Sequence, residues 1–314
     1  MTFPYKSCGS RGLKTTLCGL GAAALGRASA DVESGDEAGA ITLEYAYALG
    51  LRHVDTSPLY GESERRLGIA MRRNDFADLT ISTKVGTHPT RRGSYTRDDI
   101  RWSLSNSLDL FGKKSVDIAL VHDPPSMDPV LEKGAGFDAL VELREEGKCR
   151  NVGLGVRDHS FHYAAIETGK VDVILTYGDY NIVRRSALPL MKTAVDSGIG
   201  ILLGSPHMHG FLAQDLEPNM LIEKYGFLKR YPRDDLRIAQ DWWVWCRDRE
   251  VGLRHLNMRF VLECPYASCI LTGAANSDEL RINAYEFTTP LPDDVWGEAL
   301  LRIEELDDAD PRDR

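Results

Sequence analysis

The chain has 314 residues, a formal net charge of -9 and 43% hydrophobic residues. That length can bury a sizeable core and suits one large α/β domain or two ordinary ones. The acidic balance argues against a phosphate-neutralising surface, and so against nucleic acid as a partner. Six cysteines (Cys8, Cys18, Cys149, Cys246, Cys264 and Cys269) include no Cys-x-x-Cys pair and no Cys/His spacing that closes a zinc site, so free thiols in a reducing cytoplasm are expected.

Near the N-terminus Lys6, Arg11 and Lys14 precede an apolar stretch from Leu17 to Leu25, and Ala28-Ser29-Ala30 imitates a signal-peptide cleavage site. The stretch is short, broken by Gly19 and Gly21, and preceded by Thr15-Thr16, which reads better as a buried strand ending in a Gly-rich turn. No other apolar run approaches the roughly 18 residues of a membrane span, and no membrane association is expected.

Strand-sized apolar runs recur at Thr16 to Gly21, Arg52 to Thr56, Leu79 to Lys84, Val116 to His122, Asn151 to Val156, Val171 to Tyr177, Ile199 to Ser205 and Ser268 to Gly273. Most are continuous rather than alternating, the pattern of a parallel sheet covered on both faces. Between them lie segments of helical period. Ile41, Tyr45, Ala48 and Leu49 mark one face of a first helix ended by Gly50, and Arg66 to Arg73 continues a second. A third starts after Thr96, and a fourth carries Phe137, Leu140, Val141 and Leu143. Ser160 to Thr168 and Leu188 to Val195 supply a fifth and a sixth.

After the seventh strand His207 to Asp234 is too long for an ordinary connection and reads as a lid or binding loop. Helical character returns at Leu236 to Asp248, where Trp242, Trp243 and Trp245 cluster, and at Leu253 to Leu262. Further helices begin near Ser277 and after Pro292, and the polar tail 304–314 is expected to fray. Eight strands alternating with helices predict a single-domain (β/α)8 TIM barrel over 1–314, with an N-terminal extension and a long loop after strand seven. The alternative, a doubly wound open sheet, lacks its Gly-x-Gly-x-x-Gly turn, because Ala24 follows Gly19-Leu20-Gly21 where glycine is required.

Strand C-terminal ends converge on one mouth of a barrel. Strand two delivers Asp55 with Tyr60 just beyond, strand three Lys84 and strand four His122, each after apolar sequence. A buried charge needs a partner. Asp55 can pair with Lys84, and the ammonium of Lys84 against Tyr60 would lower the phenol's pKa, because a nearby cation favours phenolate. With His122 hydrogen-bonding an alcohol or carbonyl oxygen, the set suits alcohol–carbonyl interconversion in which a separate carrier takes the hydride.

These residues carry a resemblance. Asp-Thr-Ser-Pro-Leu-Tyr-Gly-Glu-Ser-Glu-Arg-Arg-Leu-Gly (55–68), Ser-Thr-Lys-Val-Gly (82–86), Leu-Val-His-Asp (120–123) and Asn-Val-Gly-Leu-Gly-Val (151–156) resemble the aldo-keto reductases, most closely their branch of L-fucose, D-threo-aldose and L-galactose dehydrogenases. The resemblance implies a catalytic tetrad of Asp55, Tyr60, Lys84 and His122, and a nicotinamide cofactor across the mouth touching Gly21 and Asp55. It places Asp158 at the carboxamide, with Arg157 departing from the family's serine, and puts Tyr177 where many members have glutamine under the ring. Ser205-Pro206 matches a segment touching the pyrophosphate. Gly204 replaces the family's stacking aromatic, a part Tyr177 is then expected to take.

The loop Gly273-Ala274-Ala275-Asn276-Ser277-Asp278-Glu279, ending at Asn283, resembles the adenosine-phosphate loop. Ala275 or Asn276 stands where NADP users place a basic residue, and Glu279 where another arginine is common. A ribose hydroxyl could donate to Glu279, whereas a 2′-phosphate would meet a carboxylate. NAD is therefore expected over NADP. His207-Met208-His209 has no third ligand nearby in sequence, so no metal is expected. His207, His209, Trp102 and Arg157 are instead candidates for the substrate side of the mouth. The expected substrate is a small polar alcohol or sugar, an aldose oxidised to a lactone. An NADPH-dependent aldehyde or ketone reductase and a non-catalytic nicotinamide-sensing regulatory subunit are the alternatives, and the sequence leaves the oligomeric state open.

Overall fold

All eight apolar runs become parallel strands of one closed barrel, which excludes the open sheet. The computed structural model describes residues 3–27, 31–214, 216–224 and 231–309. A short antiparallel hairpin, β1 (Tyr5–Ser7) with β2 (Lys14–Thr16), comes first. The barrel follows as β3 (Cys18–Gly21), β4 (His53–Asp55), β5 (Thr80–Val85), β6 (Val116–His122), β7 (Cys149–Gly155), β8 (Val173–Tyr177), β9 (Gly200–Gly204) and β10 (Cys269–Gly273), each paired with the next and β10 closing on β3. The helices are α1 (Val32–Leu49), α2 (Ser63–Arg73), α3 (Arg97–Phe111), α4 (Asp128–Leu131), α5 (Gly136–Glu145), α6 (His159–Glu167) and α7 (Leu188–Asp196). After β9 come α8 (Pro218–Lys224), α9 (Arg233–Arg247) and α10 (Leu253–Leu262), and after β10 come α11 (Ser277–Thr288) and α12 (Asp293–Ala309).

The hairpin is the part of the N-terminal extension that shapes the barrel. Its Cys8 and Leu13 join Ile118, Leu120, Val173, Leu175, Leu202, Cys269 and Leu271 in an apolar cluster inside the barrel. Gly200, which opens β9, has no room for a side chain: a Cβ there would lie 2.7 Å from the Cys8 sulfur. The hairpin thus plugs the end at which the strands begin, and the mouth at their C-terminal ends is left for chemistry. Cys18–Gly21 is a barrel strand, as the strand reading of that stretch required, while Ala28-Ser29-Ala30 lies outside the described residues.

One local expectation needs correction. The inward face of α1 is not the Ile41 stripe, since Ile41 is 42% exposed. Gly35, Gly39, Ala40, Thr42, Leu43 and Ala46 face inward instead. A Cβ on Gly39 would lie 2.9 Å from the Arg66 side chain, so α1 approaches α2 so closely that small residues must occupy the contact. Near the C-terminus α12 runs to Ala309, with Ala299 and Ile303 buried, and 310–314 lies outside the described residues.

The tryptophan cluster is packing, with Trp242 fully buried and edge-on to Trp245 at 5.3 Å. In the described part of the 207–234 excursion Phe211, Leu212, Leu221 and Tyr231 are buried, and Gln240 of α9 donates to Glu217 at 2.8 Å. The six cysteines are free thiols, all buried, as expected. Among the described residues no helix is long and apolar enough to cross a membrane.

Candidate active site

In a strand, residues two apart share a face, so β4 turns His53 and Asp55, and β5 turns Ser82 and Lys84, into the same side of the barrel interior. All four are buried. Lys84 Nζ donates to Asp55 Oδ2 at 2.6 Å and to the Thr56 carbonyl at 2.7 Å. The other carboxylate oxygen accepts the Ser82 hydroxyl at 2.7 Å. Ser82 lies 3.0 Å from His53 Nε2, and His53 Nδ1 lies 3.0 Å from the Thr15 hydroxyl of the hairpin. A hydrogen-bonded chain therefore runs from the plugged end of the barrel to the ammonium at its mouth. Burial pushes His53 down to about 4, so its ring is neutral and can serve both neighbours.

Tyr60 reaches this pair from the loop after β4. Pro58 sits at the second position of a turn closed by the Tyr60 amide on the Ser57 carbonyl at 2.9 Å, where proline's fixed φ is already correct. The loop then presses on Gly26: a Cβ there would fall 1.4 Å from the Tyr60 carbonyl oxygen, so no other residue fits. Gly61, at φ 54°, meets the same glycine from the other side. These contacts bring the Tyr60 ring to 5.0 Å from the Lys84 ammonium and set it edge-on to His122 at 5.9 Å.

Burial pushes the Tyr60 phenol above its ordinary value, and the charge of Lys84 acts against that push without reversing it. The expected net lowering is thus corrected in sign: the cation works in the direction foreseen, but loss of water outweighs it. For Lys84, burial disfavours the ammonium, yet Asp55 and the ionised form of Tyr60 outweigh burial and hold the amine above its usual range. His122 is held well below its ordinary range by burial and then by the positive charges of Lys84 and Arg92, so it is neutral. Its Nδ1 lies 2.8 Å from the Thr87 hydroxyl and 3.3 Å from that of Ser57, and its Nε2 is 3.5 Å from the Asp123 carboxylate.

The remaining predicted residues are placed unevenly. Gly21 pairs with Asp55 on one side and Gly273 on the other, and Tyr177 pairs with Gly204. Three neighbouring strands, β9, β10 and β3, thus all end in glycine, leaving a shelf beside the Asp55–Lys84 pair that side chains would fill. A Cβ on Gly204 would come within 3.0 Å of Tyr177 Cβ, so the tyrosine stands against the bare position. The backbone of Ser205 is at φ 50°, its hydroxyl accepting the His209 amide at 2.8 Å, and Pro206 accepts at its carbonyl from Asn257 at 3.1 Å. Asp158 caps α6, accepting from the Ser160 amide at 2.9 Å and its hydroxyl at 2.6 Å.

At the last loop Asn276 caps α11 by accepting from the Glu279 amide at 2.9 Å, and Glu279 returns to the Ala275 amide at 2.8 Å. Asn283 is buried and donates to the Gly273 carbonyl at 3.1 Å. It also accepts from Arg254, a basic residue brought in from α10 that already pairs with Glu286 at 2.7 Å.

Of the substrate candidates, His207 is buried and bonded to Asn257 at 3.1 Å, in the frame that also holds the Ile182 amide. His209 stands edge-on to Tyr177 at 6.1 Å and bonds Tyr231 at 2.5 Å, and Arg157 lies 5.5 Å from the Tyr231 ring. Trp102 is packed between His88 at 4.5 Å and Arg91 at 4.0 Å. Sequence reasoning missed His53, Ser82, Ser57, Thr87 and Asp123. The first two stand two positions before Asp55 and Lys84, a spacing that names them; the others carry no such mark.

Residues 18–300 match the Aldo/keto reductase family. The sequence is 28% identical to D-threo-aldose 1-dehydrogenase of a Pseudomonas species, covering 95% of this chain and 97% of that one. It is 27% identical to pyridoxal 4-dehydrogenase of Microbacterium luteolum over 96% and 97%, and 31% identical to L-galactose dehydrogenase of Arabidopsis thaliana over 68% of each chain. Among solved structures, an aldo-keto reductase from Bacillus halodurans in its holo form shares the fold with a TM-score of 0.75 over 96% of both chains at 19% identity. With the family matched over most of the sequence and dehydrogenases among the similar proteins, the chain belongs to the aldo/keto reductase family and is an NAD(P)-dependent oxidoreductase.

Proposed function

We propose that the protein is an NAD-dependent dehydrogenase that oxidises an aldose at its anomeric carbon to a lactone. The observation that carries the chemistry is the buried Lys84–Asp55 pair at 2.6 Å, with Tyr60 above the ammonium and neutral His122 edge-on to the phenol. When bound, the nicotinamide accepts the hydride. Tyr60 Oη takes the hydroxyl proton in oxidation and returns it in reduction. Burial pushes the phenol up, which favours its part as the acid in reduction, and in oxidation Lys84 supports the phenolate while Asp55 and Thr56 fix the amine. If Nδ1 accepts from the nearer hydroxyl, that of Thr87, His122 presents Nε2–H to the reacting oxygen.

The cofactor would lie on the shelf of Gly204, Gly273 and Gly21 with Tyr177 as its aromatic neighbour, Asp158 near the carboxamide and Ser205-Pro206 toward the pyrophosphate. The preference for NAD is supported by Glu279, whose carboxylate is fixed at the Ala275 amide, while Arg254 is already matched by Glu286. The aldose substrate is supported by similarity along the whole chain to an enzyme named D-threo-aldose 1-dehydrogenase. Purified protein should reduce NAD with at least one member of an aldose panel, followed as NADH absorbance. A clear kinetic preference for NADP would remove the cofactor assignment, and turnover of simple alcohols without any sugar would remove the substrate class.

A further inference from the structure

Asp123 stands at the mouth in an uncommon backbone conformation. It follows the last residue of β6 at φ 37°, in the left-handed region that, glycine aside, chiefly asparagine and aspartate enter. Its position is nonetheless fixed on both sides. The Asp123 amide donates to the Gly155 carbonyl at 2.9 Å, and Tyr95 donates to the carbonyl of His122 at 2.9 Å, which locks the peptide between the two residues. Tyr177 then donates to Oδ1 at 3.0 Å and orients the carboxylate.

The other oxygen is not used by the fold. Among the described residues Oδ2 receives no hydrogen bond, and its nearest polar neighbour is His122 Nε2 at 3.5 Å. The side chain is 38% exposed, toward the mouth into which His122 also faces. A turn-forming aspartate would cap a backbone amide beyond it, and this one caps none. A backbone fixed on both sides, orientation by a tyrosine and a spare acceptor beside His122 Nε2 are together the marks of a residue kept for a ligand.

We propose that Asp123 is a specificity residue, its Oδ2 accepting the hydroxyl on the carbon next to the one that gives up hydride. This rests on the aldose reading above. With the reacting oxygen on His122 Nε2, Oδ2, 3.5 Å from that nitrogen, is within reach of a hydroxyl on the adjacent carbon. A carboxylate is a strong acceptor for a sugar hydroxyl, and a substrate lacking that hydroxyl would strip water from Asp123 and give nothing back.

The test compares kcat/KM for galactose, ribose and glucose with their 2-deoxy analogues, in the wild type, Asp123→Asn and Asp123→Ala, with NAD binding followed by protein fluorescence. The wild type should prefer the 2-hydroxy sugar by roughly 10- to 100-fold. In Asp123→Ala that preference should shrink to within about threefold, mostly through KM, with NAD affinity unchanged. Asp123→Asn, which tolerates the positive φ and keeps a neutral acceptor, should fall between and supplies the readout if the alanine variant does not fold. A wild type that oxidises sugars without this preference, or a preference equal in all three proteins, overturns the proposal and leaves the dehydrogenase reading standing. A wild type that oxidises no sugar overturns both.

Discussion

Two arcs of the barrel mouth are built on opposite plans. Along β4, β5 and β6 the interior carries His53, Asp55, Ser82, Lys84 and His122, all buried and almost every polar atom engaged. Along β8, β9, β10 and β3 the barrel interior holds Leu175, Leu202 and Leu271, and the rim is Tyr177 on β8 and glycine on the other three strands. The first arc holds charge by giving each group a partner before any ligand arrives. The second leaves space, and a flat ring needs space rather than partners. On the proposed function, proton chemistry and cofactor seating would be separated by strand, and perturbations of the two arcs should then give different signatures.

Tyr60→Phe should have the largest effect. It removes only the oxygen proposed to move the proton, so kcat should fall by roughly 100- to 10,000-fold while NAD affinity, measured by fluorescence titration, stays within about twofold. Equal loss of binding would join the two arcs into one structural unit and break the comparison.

Lys84→Met tests whether the first arc is held by pairing. The Asp55 carboxylate would remain buried without its cation, and stability should drop by roughly 3–5 kcal/mol in urea unfolding, along with most turnover. Adding Asp55→Asn to that background removes the stranded charge and should restore most of the stability and none of the turnover. If the single change is harmless to stability, water already reaches the pair and the arc is less closed than its geometry indicates.

The eight strands were legible because most are continuous apolar runs, and the nearness of Asp55, Tyr60, Lys84 and His122 because three strands end in titratable residues after such runs. The hairpin's role was hidden: nothing local in Cys8 or Leu13 says that they fill the far end of a barrel. The α1 face was misread because Gly39 is drawn inward by the closeness of Arg66, a cause that hydrophobicity does not encode. His207 depends on Asn257, fifty positions away. The capping pair Asn276 and Glu279, by contrast, was readable from its spacing alone. The resemblance to a cofactor loop drew attention to one possible use of those residues and away from the use the helix makes of them.

The smallest effect, and the finest test of the second arc, comes from single methyl groups on the shelf. A Cβ on Gly204 would sit 3.0 Å from Tyr177 Cβ, so Gly204→Ala must displace the tyrosine by a few tenths of an ångström and should cost stability as well as NAD affinity. A Cβ on Gly273 meets nothing nearer than 3.9 Å, the Gly21 carbonyl, so Gly273→Ala should leave the melting temperature unchanged. If the shelf seats the cofactor, both variants should raise the NAD Kd, by roughly 3- to 10-fold, because a methyl group on either glycine stands where the ring or its ribose would rest. If the glycines are there only for packing, Gly204→Ala alone should show any effect, and it should appear as a lower melting temperature with NAD affinity intact.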